Sequence, residues 1–228
     1  MSEHGHGHGH GEVQDAAPED LFSERAWEER YGARENVWSG RPNPQLVAEA
    51  ADLAPGTAVD VGSGEGADAI WLAERGWRVI GLDFATAALR RAAAHAAERG
   101  PEVAARIDWV HHDVTTWQPG EHRFDLVSAQ FMHLLPADRV PLFARLAEAV
   151  APGGDLLIVG HDVSDVAAGV SRPPFPEMFF TAEEVAATLD PARWEVLVAG
   201  SRPRTAPDPD GNEVTVHDAV LRARRIPG

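Results

Sequence analysis

The sequence predicts an α/β fold: a doubly wound, Rossmann-like sheet of seven strands, mostly parallel, with an antiparallel C-terminal hairpin. Three observations predict it. Short apolar runs alternate with amphipathic segments from Ala58 onward, which is the pattern of a parallel sheet covered by helices on both faces. A glycine-rich turn stands between the first such strand and the first such helix. The last two strands are joined by a short turn with no helix between them, so they pair antiparallel.

Three segments are expected: a tail over 1–20, an N-terminal helix and loop over 21–44, and the main domain over 45–228. The tail joins a Gly-His tract to an acidic, Pro-containing stretch with almost nothing to bury, so it reads as disordered. His4, His6, His8 and His10 alternate with glycine there, and a flexible chain can gather such imidazoles around a divalent metal. A neutral tail is the other reading. Over 21–31, Phe22, Ala26, Trp27 and Tyr31 recur at helical spacing. Residues 34–44 form a loop, because Gly40, Pro42 and Pro44 forbid a helix.

Within the main domain a helix over 45–53 is stopped by Pro55-Gly56, and a strand follows over 58–61. A helix over 67–75 ends at Gly76, a strand runs over 78–82, and an Ala-rich helix over 85–99 closes at Gly100-Pro101. Strands are expected over 107–110 and 126–129, then a helix over 140–150 and a strand over 156–159 beyond Pro152-Gly153-Gly154. Thr181 caps a helix over 182–189, with Glu183 and Glu184 in the first turn where the helix dipole favours them. Strands over 194–198 and 214–221 flank the turn at 207–212. Trp71, Trp77, Phe143 and Leu146 read as core, and His95 as exposed. Residues 172–180, aromatic and stiffened by proline, read as core infill or, preferably, a wall of the substrate pocket.

Composition narrows the function. The chain has 228 residues, of which 44% are hydrophobic, enough for a proper core. No apolar run approaches a membrane span and no secretory pattern opens the sequence, so no membrane partner is expected. The absence of cysteine excludes disulfides, thiolate metal sites and a cysteine nucleophile, and fits a cytoplasmic setting. A formal charge of −16 argues against nucleic acid and suits a small neutral or cationic substrate. The chain is expected to be a monomer or homodimer.

The strongest local signal is the run from Val59 to Gly66, VDVGSGEG. Glycines are needed where the chain turns sharply and a ligand approaches the backbone. Gly62, Gly64 and Ala67 formally satisfy a dinucleotide fingerprint, with Asp83 where the ribose-binding acid belongs. The charges oppose that reading: a pyrophosphate beside Asp60 and Glu65 meets like charges, worth about 4 kcal/mol at about 4 Å and an effective dielectric of about 20. A ligand carrying an ammonium and a sulfonium suits Asp60 instead. S-adenosylmethionine is such a ligand, and its ribose diol can still bond to Asp83.

The stretch from Leu53 to about Val159 resembles the core of class I S-adenosylmethionine-dependent methyltransferases. VDVGSGEG is similar to the family's first motif, and VIGLDFA, over 79–85, to its second. Val110 to Val114 is similar to the third, Phe124 to Ser128 to the fourth, and Pro152 to Leu156 to the turn before strand five. Ser63 stands where many relatives carry Cys. The resemblance implies that Asp60, Gly62, Ser63 and Gly64 hold the amino-acid end of the cofactor and that Asp83 binds the ribose. It implies that Phe84 packs on the adenine, that Asp113 and Val114 bond to it, and that Ala129 and Gln130 line the methionine end.

Outside that core, Trp27 and Tyr31 followed by Val37 to Pro44 resemble the lid of small-molecule methyltransferases of the tellurite-resistance and thiopurine types. The resemblance implies cofactor contacts for Trp27, Tyr31 and Trp38, and acceptor contacts for Trp38, Arg41 and Asn43; Trp27 and Tyr31 also read simply as a packing face, and Arg172, at the start of the 172–180 wall, is a further candidate acceptor contact. His133, after strand four, and His161, after strand five, fall at the carboxyl edge of the sheet where such folds bind ligands. They are the candidate catalytic bases and acceptor contacts, if the acceptor carries a proton to lose. The reaction expected is in-line methyl transfer to a heteroatom of a small molecule. An NAD-dependent oxidoreductase and a non-catalytic cofactor- or metal-binding protein are the alternatives.

Overall fold

The computed structural model describes residues 21–33, 40–167, 175–208 and 211–228. The tail histidines His4, His6, His8 and His10, together with Trp38 and Arg172, lie outside the described residues.

The elements run α1 (Glu24–Ala33), α2 (Pro44–Ala50), β1 (Thr57–Val61), α3 (Ala67–Glu74), β2 (Arg78–Asp83), α4 (Thr86–Glu98), α5 (Pro101–Ala104) and β3 (Ile107–His111). There follow β4 (Phe124–Gln130), α6 (Pro136–Ala149), β5 (Val150–His161), α7 (Ser164–Ala167), a 3₁₀ turn (Pro176–Met178), α8 (Ala182–Ala186), β6 (Trp194–Pro207) and β7 (Glu213–Arg225). One seven-stranded sheet has the order β3-β2-β1-β4-β5-β7-β6. Only β7 runs against its neighbours, pairing antiparallel with both β5 and β6. The chain starts at the centre, winds out to β3 and returns to β4 on the other side of β1. The crevice beyond β1 and β4 is therefore a topological switch point, where ligands bind in such sheets.

The sheet's two faces bury separate apolar sets. Val59, Val61, Val127, Leu156 and Ile158 face α6 through Leu142, Phe143 and Leu146. Ala58, Leu126, Leu157 and Val159 face α2 and α3 through Leu46, Ile70 and Leu72. Alternate residues of one strand thus enter opposite layers, as the period-2 geometry of a strand requires. Trp71, Trp77, Phe143 and Leu146 are buried as expected. His95 is partly buried, and its Nδ1 lies 3.3 Å from the Glu65 carbonyl, so the expectation of exposure is corrected.

Several boundaries differ for identifiable reasons. Helix α6 begins at Pro136 rather than 140, because proline fits the first helical turn, where no N–H is needed. Strand β5 begins at Val150, before the glycines, and the register against β4 shifts between Phe124 and Leu126. The short α5 was not expected. The C-terminal strands reach Pro207 and start at Glu213, well past the expected limits. Arg202, Arg204, Arg222 and Arg224 sustain this length by pairing with Glu49, Asp218 and Asp155. Thr181 caps α8 as expected, with a reciprocal bond from its own amide to Glu184. Among the described residues no helix is long and apolar enough to cross a membrane.

Candidate active site

A cleft of about 960 Å³ opens at the carboxyl edge of the sheet. One end is built on the turn after β1. The amides of Gly62 and Ser63 both donate to the Leu82 carbonyl, at 2.8 and 3.0 Å, which ties the turn to β2. Gly62 has φ 74°, and a Cβ there would lie 2.7 Å from Met132 Sδ, so the position requires glycine. Asp83, at the end of β2, accepts the Gly64 amide on Oδ2 and the Ala85 amide on Oδ1, each at 2.8 Å. Each carboxylate oxygen keeps a lone pair for a further donor such as a ribose hydroxyl.

Three carboxylates crowd this end. Asp60 is buried, its Oδ2 has no hydrogen-bond partner, and burial, reinforced by Asp68 and Asp83, pushes its carboxyl well above the ordinary range. Asp68, in the first turn of α3, accepts the Asn43 amide at 2.6 Å, yet desolvation pushes it up to about 6. Asp83 is raised as well, chiefly by burial and against its backbone hydrogen bonds. Ser63 Oγ is a second buried polar atom without a partner. Glu65, by contrast, is neutralised by Arg91 at 2.8 Å. The repulsion expected of Asp60 and Glu65 together is therefore exerted by Asp60 and Asp68. Uncompensated buried carboxylates beside orphaned oxygens fit a cationic ligand and oppose a pyrophosphate.

Phe84 and Val114 line the cleft next to Asp83. Asp113 does not: it is exposed and its Oδ1 accepts both the amide and the hydroxyl of Thr115, at 2.8 Å each, so the side chain caps a turn. Ala129 is fully buried among the core residues of β4 and does not line the cleft either. Gln130 lines it, accepting from Asn43 Nδ2 at 2.8 Å and donating to Ser128 Oγ at 2.8 Å. Asn43 also caps α2 through the Gln45 amide, so its side chain is committed to holding the loop against β4.

Rings dominate the opposite end. His133 and His161 both line the cleft, with ring centroids 5.5 Å apart. Phe22 stacks on His133 at 5.0 Å and 8°, and Trp27 lies 6.3 Å from the same ring. Trp27 and Tyr31 line the cleft while packing against Ala85, Ala87 and Ala88, so the packing face is observed. Phe131 lies 4.7 Å from His161 and adopts φ 50°, a left-handed conformation unusual for a bulky residue. Phe180 packs on Phe143 in the core, whereas Phe175 and Phe179 reach Phe22 and His161; none of the three lines the cleft, so the described part of the aromatic run is infill rather than the expected wall. Arg41 also lines the cleft, as do Arg204, Thr205 and Ala206 from the hairpin.

Sequence reasoning missed Asp68, Phe131 and Arg204. Asp68 had a usable signal, an acid in the first helical turn directly after the glycines. Phe131 and Arg204 had none, since a left-handed backbone and a hairpin reaching past the sheet are tertiary facts.

A family described as Methyltransferase domain matches residues 58–154. The chain is 30% identical to thiocyanate methyltransferase 1 of Brassica oleracea over 76% of each chain. It is 29% identical to 2-heptyl-1-hydroxyquinolin-4(1H)-one methyltransferase of Mycobacteroides abscessus, spanning 60% of each. The fold is also that of Burkholderia thailandensis 1,6-didemethyltoxoflavin-N1-methyltransferase, with a TM-score of 0.62 and 23% identity over 92% of this chain and 91% of that one. The chain belongs to the class I S-adenosylmethionine-dependent methyltransferases that act on small molecules. S-adenosylmethionine is its cofactor, and neither an NAD-dependent oxidoreductase nor a non-catalytic binding protein is supported.

Proposed function

We propose that the chain transfers a methyl group to a heteroatom of a small molecule lodged among Phe22, Trp27, His133 and His161, with the cofactor's cationic end at the β1 turn. The observation that carries this reading is the division of the cleft: Asp68 and Asp83 line one end, with Asp60 buried beside them and one of its oxygens orphaned, and rings group at the other. S-adenosylmethionine supplies a methyl carbon activated by a positive sulfur. Asp60, Asp68 and Asp83 balance cationic charge, Gly62 and Gly64 admit the ligand to the backbone, and Phe84 and Val114 flank the adenine. Two relatives named for small acceptors support this reading.

Residues 21–44 serve as a lid, with Phe22 just before α1 and Trp27 on it presented on the acceptor side, and Trp38 completing it. Rings near a sulfonium attract it by about 0.5–2 kcal/mol, and a covered site excludes water. Where the acceptor must lose a proton as its heteroatom gains the methyl group, one of the paired histidines, His133 or His161, takes it. Arg41 and Arg172 contact the acceptor. We further infer a cytoplasmic monomer or homodimer whose tail histidines, His4 to His10, bind a divalent metal apart from catalysis.

Calorimetry on the full chain tests the reading. S-adenosylmethionine and S-adenosylhomocysteine should bind and NAD should not. Asp83→Ala should weaken binding by about 1.5–3 kcal/mol, the value of hydrogen bonds to a charged group. Uptake of NAD with no response to S-adenosylhomocysteine would sink the proposal.

A further inference from the structure

The charged groups along the cleft are sorted by sign. The carboxylates that line it, Glu65, Asp68 and Asp83, all belong to the segment between β1 and the end of β2. Arg204 stands at the ring-lined end, beside Phe131, and no carboxylate belongs to that end among its described lining residues. Arg204 owes its place to the length of the hairpin. Asp218 of β7 pairs in register with His161, the last residue of β5, and with Arg202 on its other side. Arg204 therefore stands two residues further along β6, past the end of β5 and level with the cleft.

Its guanidinium is presented in a particular way. Nε donates to both oxygens of Asp218, at 3.1 and 2.8 Å. Asp218 is completely buried and is held from behind by Gln45 Nε2 at 3.2 Å. The head group lies 5.7 Å from the Phe131 ring, which fixes its plane from one side. Among the described residues, Nη1 and Nη2 make no hydrogen bond. Four N–H donors in a planar fork thus remain beside an apolar, aromatic surface, with the arginine anchored by its Nε edge. Such a fork matches the two oxygens of a carboxylate better than any single-point anion. Leaving it unpaired in a closed site would cost the desolvation of those donors.

We propose that the acceptor is a small planar acid, its carboxylate bound by Nη1 and Nη2 of Arg204 and its ring seated among Phe22, Phe131 and His133. The inference rests on the methyltransferase reading and names its substrate class. It also reverses, for this one site, what the −16 charge of the whole chain implies. The net charge describes the surface, whereas acceptor binding is decided by groups within a few ångströms. The nucleophile of an acid held in this way lies on the side of His133 and His161, because Phe131 packs against His161.

The test compares two probes that share a thiol and differ in charge, 2-mercaptobenzoate and its methyl ester, titrated calorimetrically into protein saturated with S-adenosylhomocysteine. The acid should bind the native chain at least about tenfold more tightly than the ester, as expected for a charge-assisted bidentate pair. Removing Arg204 alone would strand the buried Asp218, so the variant is the pair Arg204→Gln with Asp218→Asn, its folding checked by thermal unfolding. Arg204→Lys, which keeps a cation for Asp218 without the fork, is the second variant. Both should reduce the preference for the acid, the double variant abolishing it, while ester affinity holds. Equal binding of acid and ester to the native chain, binding of neither, or a preference that survives in the double variant overturns the proposal. Failure to take up S-adenosylhomocysteine at all overturns the methyltransferase reading and the inference with it.

Discussion

The two ends of the cleft are assembled by different means. Asp60, Gly62, Ser63, Gly64, Asp68 and Asp83 all come from one continuous β1-α3-β2 unit, and amides of that unit fix the Asp83 carboxylate and the turn. The acceptor end draws Phe22 from just before α1, Trp27 from α1, Phe131 and His133 from beyond β4, His161 from the end of β5, and Arg204 from the hairpin. Backbone geometry therefore defines the donor end, and side chains brought from distant segments define the acceptor end. The first is intolerant of a single added methyl. The second can be repacked, which is how one scaffold serves many acceptors.

The largest effect should follow from breaking the donor end's backbone. Gly66 has φ 84°, and a Cβ there would lie 2.5 Å from a Trp109 ring carbon and 2.8 Å from Ala92 Cβ. Both neighbours are packed between α4 and β3, so neither can yield cheaply. Gly66→Ala should destabilise the protein by about 3 kcal/mol, from a left-handed L-residue plus overpacking. Urea unfolding measures it. Phe22→Leu at the acceptor end should cost far less, and a loss below about 1 kcal/mol for Gly66→Ala would remove the contrast.

The next effect sharpens the electrostatic side of the comparison. Asp68 titrates near 6, raised from 3.8 chiefly by desolvation, and Asp60 and Asp83 are raised too. A carboxyl raised in the folded state contributes stability that is complete below its unfolded value and is lost as pH rises through the folded one. The ligand-free protein should therefore lose stability between about pH 4 and 6 through Asp68. A cation at this end favours the ionised form, so S-adenosylmethionine should bind about tenfold more tightly at pH ~7 than at pH ~5, with proton release. Calorimetry in buffers of different ionisation enthalpy reads both quantities. Asp68→Asn should flatten the profile; an unchanged slope would show that these carboxylates do not sense the cofactor's charge.

The same contrast explains what could be read from the sequence. The β1-α3-β2 unit was legible almost to the residue because its signals are local: an apolar run, glycines at fixed offsets and an acid ending the next strand. The strand count and the antiparallel hairpin were legible for the same reason. The hairpin's reach was not, since Arg202, Arg204, Arg222 and Arg224 look like solvent-facing residues until Glu49, Asp155 and Asp218 are placed opposite them. Asp113 and Ala129 show the converse limit. They occupy motif positions, yet one caps its own turn and the other lies inside the sheet layer.

The smallest effect concerns Trp27, where the two ends meet. Its ring lies 5.8 Å from Tyr31 and 6.3 Å from His133, with the Arg30 guanidinium 4.6 Å above it. It thus touches the packing surface of α1 on one side and His133 on the other, while the bonds that fix Asp83 and the glycine turn do not involve it. Trp27→Ala should therefore change S-adenosylhomocysteine affinity by no more than about 0.5–1 kcal/mol, the value of one exposed ring contact. Its effect on the acceptor should be larger, because the Phe22–His133 stack loses a neighbour and the lid loses its fixed face. Titration of S-adenosylhomocysteine, followed by the KM of any accepted substrate, separates the two. An equal loss on both sides would mean that α1 supports the whole cleft as a structural strut, and the division between a backbone-built donor end and a side-chain-built acceptor end would fail at this residue.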